Sequence, residues 1–157
     1  MNDASPIRTR PGEYFEDYPV GAVFVGGPIE VGEQDILDFA RRYDPQLMHI
    51  DKDAAAAGQF GGLIASGWHT GSLAMQLLVQ HFVPAGNLAS PGLDELRWLR
   101  PVRPGDRLSL RATVESARRS RSNPGQGVVV SLVEVLNQDG DVVMSLKPIS
   151  LMRCRPA

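Results

Sequence analysis

GWHTGSLAMQLLVQHFV, residues 67–83, carries the longest helical signal in the chain, and the rest of the fold has to be arranged around it. Leu73, Leu77, Leu78, Val79 and Phe82 leave little polar surface on that helix. A helix that is apolar nearly all round is expected to be buried. Proline cannot continue a helix, so Pro84 marks its end. A buried helix needs covering elements, which the flanking sequence has to supply.

Downstream the period changes from helical to alternating. Leu108, Leu110, Ala112 and Val114 alternate with Arg107, Ser109, Arg111, Thr113 and Glu115, the pattern of a strand with one buried face. GVVVSLVEVLN (127–137) and DVVMSLKPISLMRC (141–154) read as two more long strands, joined by a tight turn at Asn137–Gly140. Pro148 points to an edge position or a bulge in the last of them. DELRWLRPV (94–102) precedes this run, with a turn at RPGD (103–106).

Upstream, AVFVGGPIEV (22–31) reads as a strand broken by Gly26-Gly27-Pro28. Residues 33–43 place Ile36, Phe39, Ala40 and Tyr43 on one helical face, and Asp44-Pro45 ends that helix. Residues 51–57 read as a short helix capped by Asp51 and stopped at Gly58. Residues 1–13 carry Pro6, Pro11 and Gly12 and read as a loose, flexible arm ahead of one domain over 14–157. Helices and strands segregated in this way argue for the α+β class, with one curved antiparallel sheet around one long helix. Strands left over at the sheet's margin want a partner, so a homodimer or higher homo-oligomer is expected.

The chain has 157 residues, enough for one domain with a real core, and is 43% apolar and 22% charged. A net charge of −2 offers no electrostatic case for nucleic acid. No stretch approaches the roughly 18 apolar residues of a membrane span, and residues 1–17 lack the apolar core of a secretory signal. The single cysteine, Cys154, fits a reducing compartment, so a cytoplasmic location is expected.

DPQLMH (44–49) places a carboxylate and an imidazole five residues apart, and Gly67 follows His49 by eighteen. Asp44 has two readings: a turn cap, since Asp-Pro is common turn chemistry, or one half of an acid/base pair with His49. Gly67 opens the long helix, where a backbone N–H can hold a developing negative charge and the missing side chain lets a ligand approach. His49 and Asp51 supply only two potential metal ligands with no evident third, so no metal is expected. Ser66 lacks the flanking glycines of a nucleophile elbow, because Ile64 and Trp68 stand there. His81 reads as a helix-end residue, and Cys154 as inert. ARRSRS (117–122) reads as a solvated hairpin tip, with Arg100 and Arg103 as comparable phosphate-binding candidates.

Asp44 with His49, then FGGLIASGWHT, then LRWLRPVRPGDRL, together resemble the MaoC-like dehydratases, among them the R-specific enoyl-CoA hydratases. The resemblance covers roughly residues 14–153. It implies the hotdog fold and reversible addition of water to a 2-enoyl-CoA, giving a (3R)-3-hydroxyacyl-CoA. It places the catalytic pair on Asp44 and His49 and the oxyanion donor on Gly67. Asp44 is the expected base for water and His49 its partner in moving the proton. Ser66, Trp68 and His69 are candidate substrate contacts. The substrate is expected to be an acyl-CoA or acyl-carrier-protein thioester, and no cofactor is implied. Four positions depart from the family pattern: Gln46 and Leu47 stand where Asn-Pro is usual, Ser66 replaces a frequent histidine, and Met75 stands where a supporting serine is found. Two competing readings remain at this stage, a hotdog acyl-CoA thioesterase and a non-catalytic acyl-CoA-binding subunit.

Overall fold

A computed structural model describes residues 6–157. The elements follow in the order β1 (Ile7–Arg8), β2 (Val23–Glu30), α1 (Glu33–Tyr43), α2 (Leu47–Ile50), α3 (Lys52–Ala57), α4 (Gly67–His81), β3 (Asn87–Trp98), β4 (Arg107–Arg119), β5 (Gln126–Leu136) and β6 (Val142–Arg153). A single 3-10 turn, Phe15–Asp17, lies between β1 and β2. The sheet order is β1-β2-β4-β5-β6-β3. Among the described residues only β1 and β2 pair in parallel, and every other pairing is antiparallel. Among the described residues no helix is long and apolar enough to cross a membrane.

The alternating strands do what period two demands. Leu108, Leu110, Ala112 and Val114 of β4 and Val129, Val133 and Val135 of β5 face one core. Ala74, Leu77 and Leu78 of α4 enter the same core, and α4 packs against β2 and β4. Tyr18, Phe24 and Phe82 close it with one stacked and two edge-to-face ring contacts at 5.0–5.3 Å. This is the expected α+β hotdog arrangement, one long helix against one long sheet. The break in β2 falls where expected, as a register shift between Gly26 and Ile29. The Asn137–Gly140 turn closes with Gly140 at φ +79°, where an L side chain would be strained.

Four expectations need correction. First, α4 is not buried all round. The sheet covers one side only, and Trp68, Met75 and Val79 are 60%, 50% and 54% exposed on the other. Second, Pro148 lies in an interior strand. β6 runs between β5 and β3, and its pairing with β5 steps from Val130↔Ile149 to Val133↔Leu146, passing over the residue with no N–H to give. Third, β3 starts earlier than 94 and ends before Pro101. It carries Pro91 because it is an edge strand hydrogen-bonded to β6 alone. Fourth, the arm is tied down where it is described. Ile7 and Arg8 pair with Val23 and Phe24, the Arg8 guanidinium donates to the Asp17 carbonyl, and the Gly12 N–H donates to the Tyr18 hydroxyl. Residues 1–5 of that expected arm lie outside the described residues.

Candidate active site

Helix α1 ends at Asp44, whose backbone leaves the helical region and whose N–H still donates to the Ala40 carbonyl. The chain then turns through Pro45 into the single turn of α2, which carries His49 inward. His49 is 4% exposed, and its Nδ1 lies 2.8 Å from the Ile64 carbonyl oxygen. A carbonyl only accepts, so Nδ1 carries a proton, and in the neutral form of the ring the lone pair is on Nε2. That Nε2 stands 3.4 Å from Oδ2 of Asp44. The separation is long for a direct hydrogen bond and short enough for one water to touch both acceptors.

Both oxygens of Asp44 are held. Gln46 Nε2 donates to Oδ1 and Ser66 Oγ donates to Oδ2, each at 2.7 Å. These bonds, that of Gln46 foremost and then that of Ser66, hold the carboxyl below the usual aspartate range. Ser66 is wholly buried, and its hydroxyl also accepts the Trp68 N–H at 3.2 Å as the N-cap of α4. One oxygen atom therefore joins the carboxylate to the start of the long helix. Gly67 is the first residue of that helix, where a backbone N–H has no intrahelical partner. A Cβ on Gly67 would meet the Trp98 ring at 2.5 Å, and Trp98 Nε1 donates to the Gly67 carbonyl at 2.9 Å. The close approach of the indole, and not a special φ, is what demands glycine here.

Asp44, His49, Gly67, Trp68, Trp98 and Arg100 all line one cavity of about 410 Å³. The fold thus brings together the three residues expected to carry chemistry, and adds Trp68. The other two candidate contacts lie elsewhere. Ser66 does not line the cavity: it is fully buried behind Asp44 with its hydroxyl engaged on both sides. His69 is turned away from the cavity, stacked on Phe39 of α1 at 4.9 Å and 11°. Its Nδ1 has no hydrogen-bond partner, and burial pushes its pKa below the ordinary histidine value, with Asp35 pulling the other way.

Several residues around the cavity escape a reading of the sequence. Gln46 stands where the family pattern has asparagine, and an amide two residues after the aspartate is the signal that could have identified it. The support expected from the Met75 position comes from Ser66, while Met75 points outward. Trp98 belongs to LRWLRP, but its contact with Gly67 spans 31 residues and has no local signature. Among the arginines, Arg103 is structural, with its guanidinium on the Phe60 carbonyl at 2.5 Å. Arg100 lines the cavity and pairs loosely with Asp141 at 3.5 Å. Asp51 caps α3 through the N–H groups of Asp53 and Ala54, so its carboxylate has a structural task.

The chain is similar to known proteins in sequence and in fold. The family described as MaoC like domain matches residues 17–136. The MaoC-like dehydratase from Rhodospirillum rubrum superposes with a TM-score of 0.87 at 39% identity, covering 93% of this chain and 100% of that one. The R-hydratase PhaJ1 from Pseudomonas aeruginosa superposes with a TM-score of 0.72 at 26% identity, covering 91% of this chain and 86% of that one. The mesaconyl-CoA hydratase of Cereibacter sphaeroides is 31% identical over 145 residues, 88% of this chain and 40% of the hydratase. The chain therefore spans well under half of that relative's length.

Proposed function

The chain belongs to the MaoC-like dehydratase family, and on that premise we propose that it adds water reversibly to a 2-enoyl thioester, giving a 3-hydroxyacyl thioester of the R configuration. The observation that carries the proposal is the cavity shared by Asp44 Oδ2, His49 Nε2 and the first residue of α4. Water bound between two acceptors gives one hydrogen bond to each and turns its lone pair to the β-carbon. As the C–O bond forms, the π pair shifts toward the α-carbon and the thioester oxygen. The Gly67 N–H meets the charge arriving on that oxygen. His49 Nε2 takes the proton and delivers it to the α-carbon. Asp44, held ionised by Gln46 and Ser66, stays a carboxylate and stabilises the imidazolium. This assignment moves the proton to His49 from the aspartate expected on sequence, because a carboxylate already holding two donors is a weak base. No cofactor enters the step.

The substrate is taken to be a coenzyme A thioester, with a carrier-protein thioester as the variant to compare. A second copy of the chain is taken to cover the exposed side of α4, where Trp68, Met75 and Val79 stand open, and the edge strand β3, where Leu88 and Leu93 do. Cytoplasm is the assigned location, resting on the single thiol of Cys154.

The test is loss of enoyl absorbance from crotonyl-CoA with purified protein, run beside a thiol reagent. Hydration without thiol release, abolished in Asp44→Asn, is the expected result. Thiol release instead would make the protein a thioesterase. Undiminished hydration in an Asp44→Asn, His49→Ala double variant would remove the assigned mechanism.

A further inference from the structure

A second cavity of about 560 Å³ adjoins the first, and Gln46, Met48 and Phe60 line both. Its remaining lining comes from Pro45, Leu47, Ala54, Ala55, Gly58 and Gln59, without a single charged side chain. The reactive groups Asp44 and His49 lie in the first cavity only. The two spaces therefore differ in charge: one holds a carboxylate, an imidazole and a helix start, and the other is uncharged, with Gln46 and Gln59 as its polar side chains among apolar ones that can take an alkyl chain.

The partition between them is made of side chains on fixed backbone. The Met48 carbonyl accepts from the Ile64 N–H at 3.2 Å, and the Phe60 carbonyl accepts from Arg103. Both side chains are only partly buried, so neither is locked into the core. Methionine turns about three flexible bonds and adapts to what lies beside it.

Resting on the hydratase reading above, we infer that the second cavity is the tail site for acyl groups too long for the first, and that Met48 and Phe60 set the chain length accepted. A short acyl group leaves the partition closed. A longer one passes between the thioether and the ring, and its terminal carbons lie against Leu47, Ala54 and Ala55.

The experiment compares kcat/KM on crotonyl-CoA and on 2-dodecenoyl-CoA for the wild type, the opening variant Met48→Ala, Phe60→Ala and the filling variant Ala54→Phe. The long-to-short ratio is expected to rise roughly tenfold on opening and to fall by a similar factor on filling. An unchanged ratio in both variants, with thermal unfolding close to wild type, would overturn the inference and leave the hydratase reading intact. Absence of hydration by the wild type on either substrate would overturn that reading instead. In that case the tail site is still decided by binding of the unreactive butyryl-CoA and lauroyl-CoA, read through the fluorescence of Trp68 and Trp98 in the first cavity. A preference for lauroyl-CoA that filling removes supports the tail site, and identical affinities in wild type and both variants overturn it.

Discussion

Two histidines, His49 in α2 and His69 in the first turn of α4, are buried to nearly the same degree, 4% and 5% exposed. Their surroundings differ in every respect that matters to chemistry. His49 has a carbonyl on one nitrogen and a held carboxylate facing the other. His69 has an aromatic ring on its face and nothing on Nδ1. The first has a polar group at each ring nitrogen and lines the cavity. The second is a ring used as packing, and its charged form is disfavoured. Burial and residue type are thus the same in both, and hydrogen-bond partners decide the role.

The largest effect expected from this contrast is on turnover. His49→Ala should lower kcat by about a thousandfold, whereas His69→Phe should leave it within a factor of a few. Steady-state kinetics on crotonyl-CoA measures both, and a large loss in His69→Phe would erase the contrast.

Gly67→Ala should come next, at about a hundredfold, because the new Cβ meets the Trp98 ring and shifts either the indole or the start of α4. Placing the same change in a Trp98→Ala background should recover most of the loss. Failure to recover would mean that the glycine serves something other than clearance for the indole.

Ser66→Ala should cost about tenfold in kcat and also remove a helix cap worth about 1 kcal/mol. The cap alone cannot move a pH profile. Ser66 lowers the Asp44 pKa, so removing its bond raises that pKa, and the acid limb of the Asp44 carboxyl titration, followed by NMR, should move to higher pH. An unmoved limb would reduce Ser66 to its capping role.

The smallest expected effect is on stability. The folded state disfavours His69 protonation, so the unfolded chain binds more protons below about pH 6.5 and stability falls as pH drops through that range. The fall in Tm between about pH 7 and pH 5 should be smaller in His69→Phe than in wild type. An equal fall would place the acid sensitivity on other groups.

The elements that were legible in advance owe it to local rules. Alternation along β4 and β5 is a period-two pattern, and the end of α1 before Asp44-Pro45 and the Asp51 cap of α3 each depend on a few neighbouring residues. Asp44, His49 and Gly67 were named together because their spacing matched a known pattern, and the fold places all three on one cavity. The errors came from contacts between distant residues. The exposed side of α4 was misread because apolar residues cannot say which of them the sheet will reach. Ser66 was misassigned because its partner, Asp44, lies 22 residues away. His69 was misassigned because helical spacing places it one residue from Trp68 yet on another side.

Residue order and short-range physics were enough to dictate a long helix starting at Gly67, read as 67–83 and ending at His81, the long alternating strands, the α+β class and the chemical types gathered at the site. Only the folded chain decides which lone pair His49 presents, which hydroxyl holds Asp44, and which tryptophan closes on Gly67. The division has a physical cause. Periodicity and capping act within a turn or a strand, whereas a tautomer, a lowered carboxyl pKa and a cavity wall are each fixed by groups the sheet and helices bring together from far along the chain.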